Sequence, residues 1–251
     1  MIDCHMHIEQ KEYQKNIDEF VSKWKKELKS IISSACAPKE LEKALVLYKK
    51  FQPFLQISIG IHPTYIKRIT EANIKKTIEF IKKNKENIVS IGEIGLDYYW
   101  IKEEEFREKQ KELFRKMIRL AKELDLPIVV HSRDAREDTM DILKKEGAKK
   151  VLMHLFTDKK ELPRVIQNNW SISIGPSIAK SKDIKKIARD MPLNRILLET
   201  DSPWFKQEGQ KFGQPTNVIV PLKKIAEIKK ISEEEVEKQT DLNAKKFFNL
   251  Q

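Results

Sequence analysis

The chain has 251 residues, 40% of them hydrophobic, enough to bury one sizeable core. Its 49 Lys and Arg against 38 Asp and Glu give a formal charge of +11, which suits contact with phosphates but equally marks solvated helix faces carrying both signs. No run approaches the roughly 18 apolar residues that span a bilayer, and no charged start leads into a long apolar segment, so a cytoplasmic, soluble, single-domain protein without a membrane partner is expected.

Apolar periodicity reads as strand then helix, repeated. Strands are predicted at Ile2–His5, Ser30–Ala35, Leu55–Gly60, Ile88–Gly92, Pro127–Val130, Val151–Met153, Trp170–Gly175 and Arg195–Glu199. Between them, helical spacing covers Tyr13–Lys29, Pro38 to about Lys50, Asn73–Asn84, Glu103–Leu124, Arg136–Glu146, Lys159–Asn168 and Lys182–Asp190. A Gly- and Pro-containing loop, Lys206–Pro215, precedes a helix over about Val218–Lys229, and Ser232-Glu233-Glu234-Glu235 has the form of a capping box opening a last helix. Eight such alternations with near-continuous apolar strands predict an α/β fold, a (β/α)8 TIM barrel. The alternative is an open doubly wound sheet, but its G-x-G-x-x-G turn is absent after the first strand, where His5 and His7 stand instead.

Barrel enzymes build their sites at the C-terminal ends of the strands, and the five histidines fall there. His5 and His7 close strand one, on one face if the strand continues. His62 follows strand three, His131 ends strand five and His154 ends strand six, while Glu93 ends strand four and Asp201 ends strand eight. Imidazole nitrogens with carboxylate oxygens suit zinc, manganese, iron or magnesium, and these ligands suffice for two divalent ions. Cys4 and Cys36 lack Cys-x-x-Cys spacing and read as reduced, buried thiols.

The stretches IDCHMHIE, GIHP (Gly60–Pro63), IGEIGLDYY (Ile91–Tyr99), HSRDA (His131–Ala135), MHLFTD (Met153–Asp158) and LLETDSPWF (Leu197–Phe205) carry a resemblance over nearly the whole chain. In their order and spacing they resemble the TatD family of metal-dependent deoxyribonucleases, within the amidohydrolase-like barrel superfamily. The resemblance implies that His5, His7 and Asp201 hold one ion, that His131 and His154 hold a second, and that Glu93 bridges them. It also implies a DNA substrate, with His62 facing a phosphate or leaving group and Arg133 offering a planar donor fork. Two departures from the family pattern stand out: Leu155 and Asp158 occupy the loop after His154 where small residues are usual, and Cys4 precedes His5.

The expected chemistry is phosphodiester hydrolysis by metal-activated water, with Asp201 as general base. Lys206 and Lys211 could hold the backbone, and Tyr99, Trp204 and Phe205 could stack on bases, although loop aromatics often serve packing instead. The alternatives are an amidohydrolase-type enzyme acting on a small amide, lactone or phosphotriester, and a non-catalytic nucleic-acid or metal-binding protein. Oligomeric state is not legible in the sequence, and a monomer is compatible with it.

Overall fold

The structure, a computed structural model, describes residues 1–250. Eight strands form one parallel sheet in sequential order: β1 (Ile2–Met6), β2 (Ser30–Ala35), β3 (Leu55–Ile59), β4 (Ser90–Asp97), β5 (Ile128–Arg133), β6 (Val151–Met153), β7 (Ser171–Ile174) and β8 (Ile196–Leu198). Each connection carries helix, and the strands are buried on both faces, as their apolar runs require. The sheet curls into the predicted (β/α)8 barrel, which closes between β1 and the segment following β8. There the Asp201 N–H donates to the His5 carbonyl at 2.9 Å and the His7 N–H donates to the Ser202 carbonyl at 2.9 Å. The seam therefore lies at the rim and fixes three predicted site residues by their backbones.

The outer helices are α1 (Lys11–Gln14), α2 (Ile17–Trp24), α3 (Leu41–Phe51), α4 (Glu71–Lys83), α5 (Glu104–Leu124), α6 (Arg136–Lys145), α7 (Leu162–Gln167), α8 (Lys182–Asp190), α9 (Ile219–Lys229) and α10 (Glu233–Phe248). The helix expected over Tyr13–Lys29 is split in two and ends at Trp24. The reason is tertiary: buried Tyr13 donates from its hydroxyl to the Gly213 carbonyl at 2.7 Å, and Trp24 Nε1 donates to Gln214 Oε1 at 3.0 Å. These bonds pin the Gly- and Pro-containing loop against α1 and α2, and tertiary contacts of this kind override helix propensity. Turns likewise displace the expected helix starts at Pro38 and Lys159, to Leu41 and Leu162.

The fourth strand does not stop at Gly92 but runs to Asp97, and β5 continues to Arg133. Gly95 permits this extension. Its φ is +140°, and a Cβ there would stand 2.0 Å from the His131 carbonyl oxygen, so only glycine lets β4 lie this close to β5. At the α10 start, the Ser232 hydroxyl accepts the Glu235 N–H at 3.1 Å, one half of the predicted capping box. Among the described residues, no helix is long and apolar enough to cross a membrane.

Candidate metal centre

Glu93 is the hub of the C-terminal rim. Pairing in β4 shifts register between Ile91 and Ile94, and β1 shifts between Asp3 and Met6, so Glu93 and His5 both sit at irregularities that re-aim a side chain. Glu93 Oε1 lies 2.8 Å from His131 Nδ1, 3.5 Å from His62 Nε2 and 3.6 Å from His154 Nε2, while Oε2 lies 3.4 Å from His5 Nε2. Asp201 Oδ1 is 3.1 Å from His7 Nε2 and 3.8 Å from His5 Nε2. Six of the seven residues predicted from the strand ends thus line one cleft of about 740 Å³, and the seventh, His5, is buried against Glu93 behind it. Their grouping is finer than the sequence suggests: the His154 ring stacks on His5 at 3.8 Å, and the His131 ring lies nearer His62 (4.5 Å) than His154 (6.4 Å).

The back of each imidazole determines what its front can do. His7 Nδ1 faces the Ser34 carbonyl at 2.9 Å and must donate, so Nε2 is the inward atom, and the proton it donates to ionised Asp201 at 3.1 Å is the one a cation would displace. His154 Nδ1 donates to Glu199 Oε2 at 2.6 Å, again freeing Nε2 for the cleft. His131 Nε2 meets Asp97 Oδ2 at 2.9 Å, so its Nδ1 is the inward atom. His62 is the reverse case: its Nδ1 meets both the Thr64 N–H at 3.3 Å and the Thr64 hydroxyl at 2.7 Å, and a neutral ring that accepts from both presents an N–H, not a lone pair, to the cleft. By this logic His5, His7, His131 and His154 can ligate a cation, whereas His62 is a hydrogen-bond donor that also orders the turn beginning at Pro63.

Two features test whether a cation fits. His5 Nε2 is buried with no hydrogen-bond partner, an orphan among acceptor oxygens and lone pairs. Burial and the neighbouring His154 also keep the His5 ring below its usual pKa, hence neutral. Elsewhere the cluster compensates with protons. Burial disfavours charge on His131 and His154, but Asp97 and Glu93 raise the former to about 9, and Glu199 with Glu93 raises the latter to about 10. Burial would raise both Glu93 and Asp201, yet the surrounding histidines hold Glu93 well below the carboxylate range and Asp201 below its usual value. Ionised carboxylates facing imidazoles that must otherwise be protonated are the chemistry of a divalent-cation site, and a cation would enter in exchange for protons.

Sequence reasoning missed the residues behind the site. Glu199, fully buried, also accepts the Leu155 N–H through Oε1 at 2.6 Å. This bond holds Leu155 in a left-handed conformation (φ +42°), with its side chain in the space a Cβ on Gly175 would need. The unusual Leu155 therefore shapes the loop beside His154. Asp97 is held in turn by Gln110 of α5, whose Oε1 accepts the Asp97 N–H at 3.1 Å. Asp3 accepts from Thr200 N (3.0 Å) and Oγ1 (2.5 Å), clamping the segment that leads into Asp201, itself at φ +52°. The only sequence signal was a carboxylate beside each rim motif, in GLD, LLET and IDCH. Glu199→Gln keeps an acceptor for Leu155 but weakens the hold on His154, and it should lower divalent-metal affinity about 10- to 100-fold. Metal titration followed by elemental analysis checks this; unchanged affinity would reduce Glu199 to a loop brace.

Of the other predicted residues, Arg133 lies exposed on the cleft wall, its guanidinium 3.8 Å from the Tyr99 ring rather than paired with Asp134. Lys206 and Lys211 are exposed on their loop and do not line the cleft. Cys4 is buried in the core, and Cys36 is a free thiol on the cleft wall.

A barrel with imidazoles and carboxylates gathered at its C-terminal mouth defines a metal-dependent hydrolase. The family described as TatD related DNase matches residues 2–249, and the chain belongs to that family. It is 32% identical over 258 residues to Deoxyribonuclease TATDN3 of Homo sapiens, covering 99% of this chain and 94% of that protein. It is 33% identical over 258 residues to the uncharacterized metal-dependent hydrolase YabD of Bacillus subtilis, covering 100% and 99%. In fold it is similar to the crystal structure of YJJV, a TatD homologue from Escherichia coli, with a TM-score of 0.92, 22% identity, and coverage of 100% of this chain and 98% of that one.

Proposed function

We propose that the whole chain acts as one domain, a deoxyribonuclease that hydrolyses DNA phosphodiester bonds with two divalent ions, zinc, manganese, magnesium or iron. The observation that carries the reading is Glu93, whose two oxygens face different imidazoles, His131 on one side and His5 on the other. His5, His7 and Asp201 are assigned to one ion, His131 and His154 to the other, and Glu93 to both. When bound, such ions supply Lewis acidity toward the phosphoryl oxygen and lower the pKa of water.

The chain's own groups do the rest. Asp201, ionised and open to the cleft, takes the proton of the attacking water. His62 donates its inward N–H to a phosphate or leaving oxygen, and Arg133, preorganised on Tyr99, offers its N–H edge to the backbone. Contacts to phosphate of this kind position a strand without reading its sequence.

Incubating the protein with linear and circular DNA across a panel of divalent ions tests the reading, and no cleavage with any ion would sink it. Contacts to two or three phosphates also imply salt dependence. KM for DNA should rise roughly tenfold between about 50 and 200 mM salt. A KM that stays flat over that range would favour a small, uncharged substrate.

A further inference from the structure

Among the described residues, the four aromatic side chains the fold leaves exposed, Tyr99 (42%), Trp100 (61%), Trp204 (56%) and Phe205 (37%), all lie on the two loops that follow β4 and β8. In an eight-stranded barrel with sequential strand order, β4 and β8 stand on opposite sides of the axis. Both loops share a pattern, Asp-x-x-Trp: Asp97-Tyr98-Tyr99-Trp100 and Asp201-Ser202-Pro203-Trp204. In each, the tryptophan is mounted on the aspartate three residues before it. The Trp100 N–H donates to Asp97 Oδ1 at 2.8 Å, and the Trp204 N–H donates to the Asp201 carbonyl at 3.0 Å. Both aspartates also touch the centre, Asp97 through His131 and Asp201 through His7. Both tryptophans line the cleft.

We infer that Trp100 and Trp204 are paired stacking platforms that hold one base on either side of the phosphodiester lying over Glu93. This rests on the nuclease reading above and adds to it the residues that recognise the bases. Exposed apolar surface gathered on one cleft marks a binding site, and indole faces bind any base, which fits a site with no hydrogen-bond readout. Tyr99 is not a platform, because Arg133 and Lys102 lie over its ring at 3.8 and 5.3 Å and, unlike Trp100 and Trp204, it does not line the cleft. Its work is to set that guanidinium over the Trp100 ring at 5.8 Å, where a cation next to a stacked base meets the adjoining phosphate. Bases within a duplex have both faces covered, so the platforms favour unpaired or frayed strand.

The test compares cleavage of an intact single-stranded oligonucleotide with that of an oligonucleotide of the same length whose nucleotides at and around the cut are abasic. Wild-type kcat/KM should favour the intact strand by about tenfold or more, since each stacked base strengthens binding. In Trp100→Ala and Trp204→Ala that ratio should fall several-fold, and in the double variant approach one, with bound metal unchanged. Trp24 and Trp170 are buried, so exposed-tryptophan emission reports the two platforms alone. In the Asp201→Asn variant this emission should be quenched by the intact oligonucleotide and little by the abasic one. A wild-type ratio near one, or a double variant that keeps the wild-type ratio, overturns the platforms while leaving the nuclease reading intact. Failure of wild type to cut either strand sinks the nuclease reading itself, and the platforms with it.

Discussion

Glu93→Ala is expected to lower the occupancy of both proposed metal positions together and to cut hydrolysis by about 10³-fold or more, the scale lost when charge-stabilising groups leave a water-excluded site. The geometry explains why this one substitution should reach both positions. Its two carboxylate oxygens lie within 3.6 Å of four imidazoles contributed by β1, the β3 loop, β5 and the end of β6. Removing the group leaves those nitrogens facing one another with no negative charge between them. The fold should survive, because His131 keeps Asp97, His154 keeps Glu199 and His7 keeps Ser34. Glu93→Gln, which preserves shape and removes charge, separates the electrostatic loss from any cavity and should behave alike. His131→Ala gives the contrast, weakening one ion and leaving His5, His7 and Asp201 to hold the other. Metal content after dialysis measures all three variants. Two ions retained tightly by Glu93→Ala would refute the bridging role.

Asp201→Asn should lower kcat by about 10³-fold while leaving KM for DNA within about threefold of wild type, the signature of a group needed in the transition state more than in binding. Burial works against charge on this carboxyl, but His7, His154 and His5 outweigh it and hold its pKa below the usual aspartate value, so it is ionised at neutral pH. The amide keeps an oxygen for the His7 side of the site, and the backbone bonds that fix residue 201, to the His5 carbonyl and from the Trp204 N–H, do not involve the side chain. What is lost is the proton acceptor and one unit of ligand charge. Since a lost ligand could itself empty the site, the rate must be read at saturating metal. Turnover near wild type under that condition would remove Asp201 from the role of base.

The barrel was legible because its signal is local and repeated. Each β-run is short and apolar on both faces, each helix alternates faces, and eight repeats leave few ways to bury that surface. The candidate site residues were legible for a related reason. Histidine is rare in this chain, and the rim position of each follows from where its strand ends. Errors fell where a tertiary partner decides a local outcome, as in the split of the Tyr13–Lys29 helix by the bond from Tyr13 to Gly213.

By itself, then, the sequence determined the (β/α)8 order, the rim that carries His5, His7, His62, Glu93, His131, His154 and Asp201, and through its motifs the family. Tertiary structure alone decided which nitrogen of His7, His131 and His154 faces the cleft, because that choice depends on Ser34, Asp97 and Glu199, residues that reach the rings from distant parts of the chain. It also decided that His154 stacks on His5, that Arg133 rests on Tyr99, and that two Asp-x-x-Trp loops 104 residues apart in sequence stand across one cleft. The physical reason is range: strand and helix periodicity follow from neighbouring residues, whereas the direction of a proton or the face of a ring is set by whichever group packs against it.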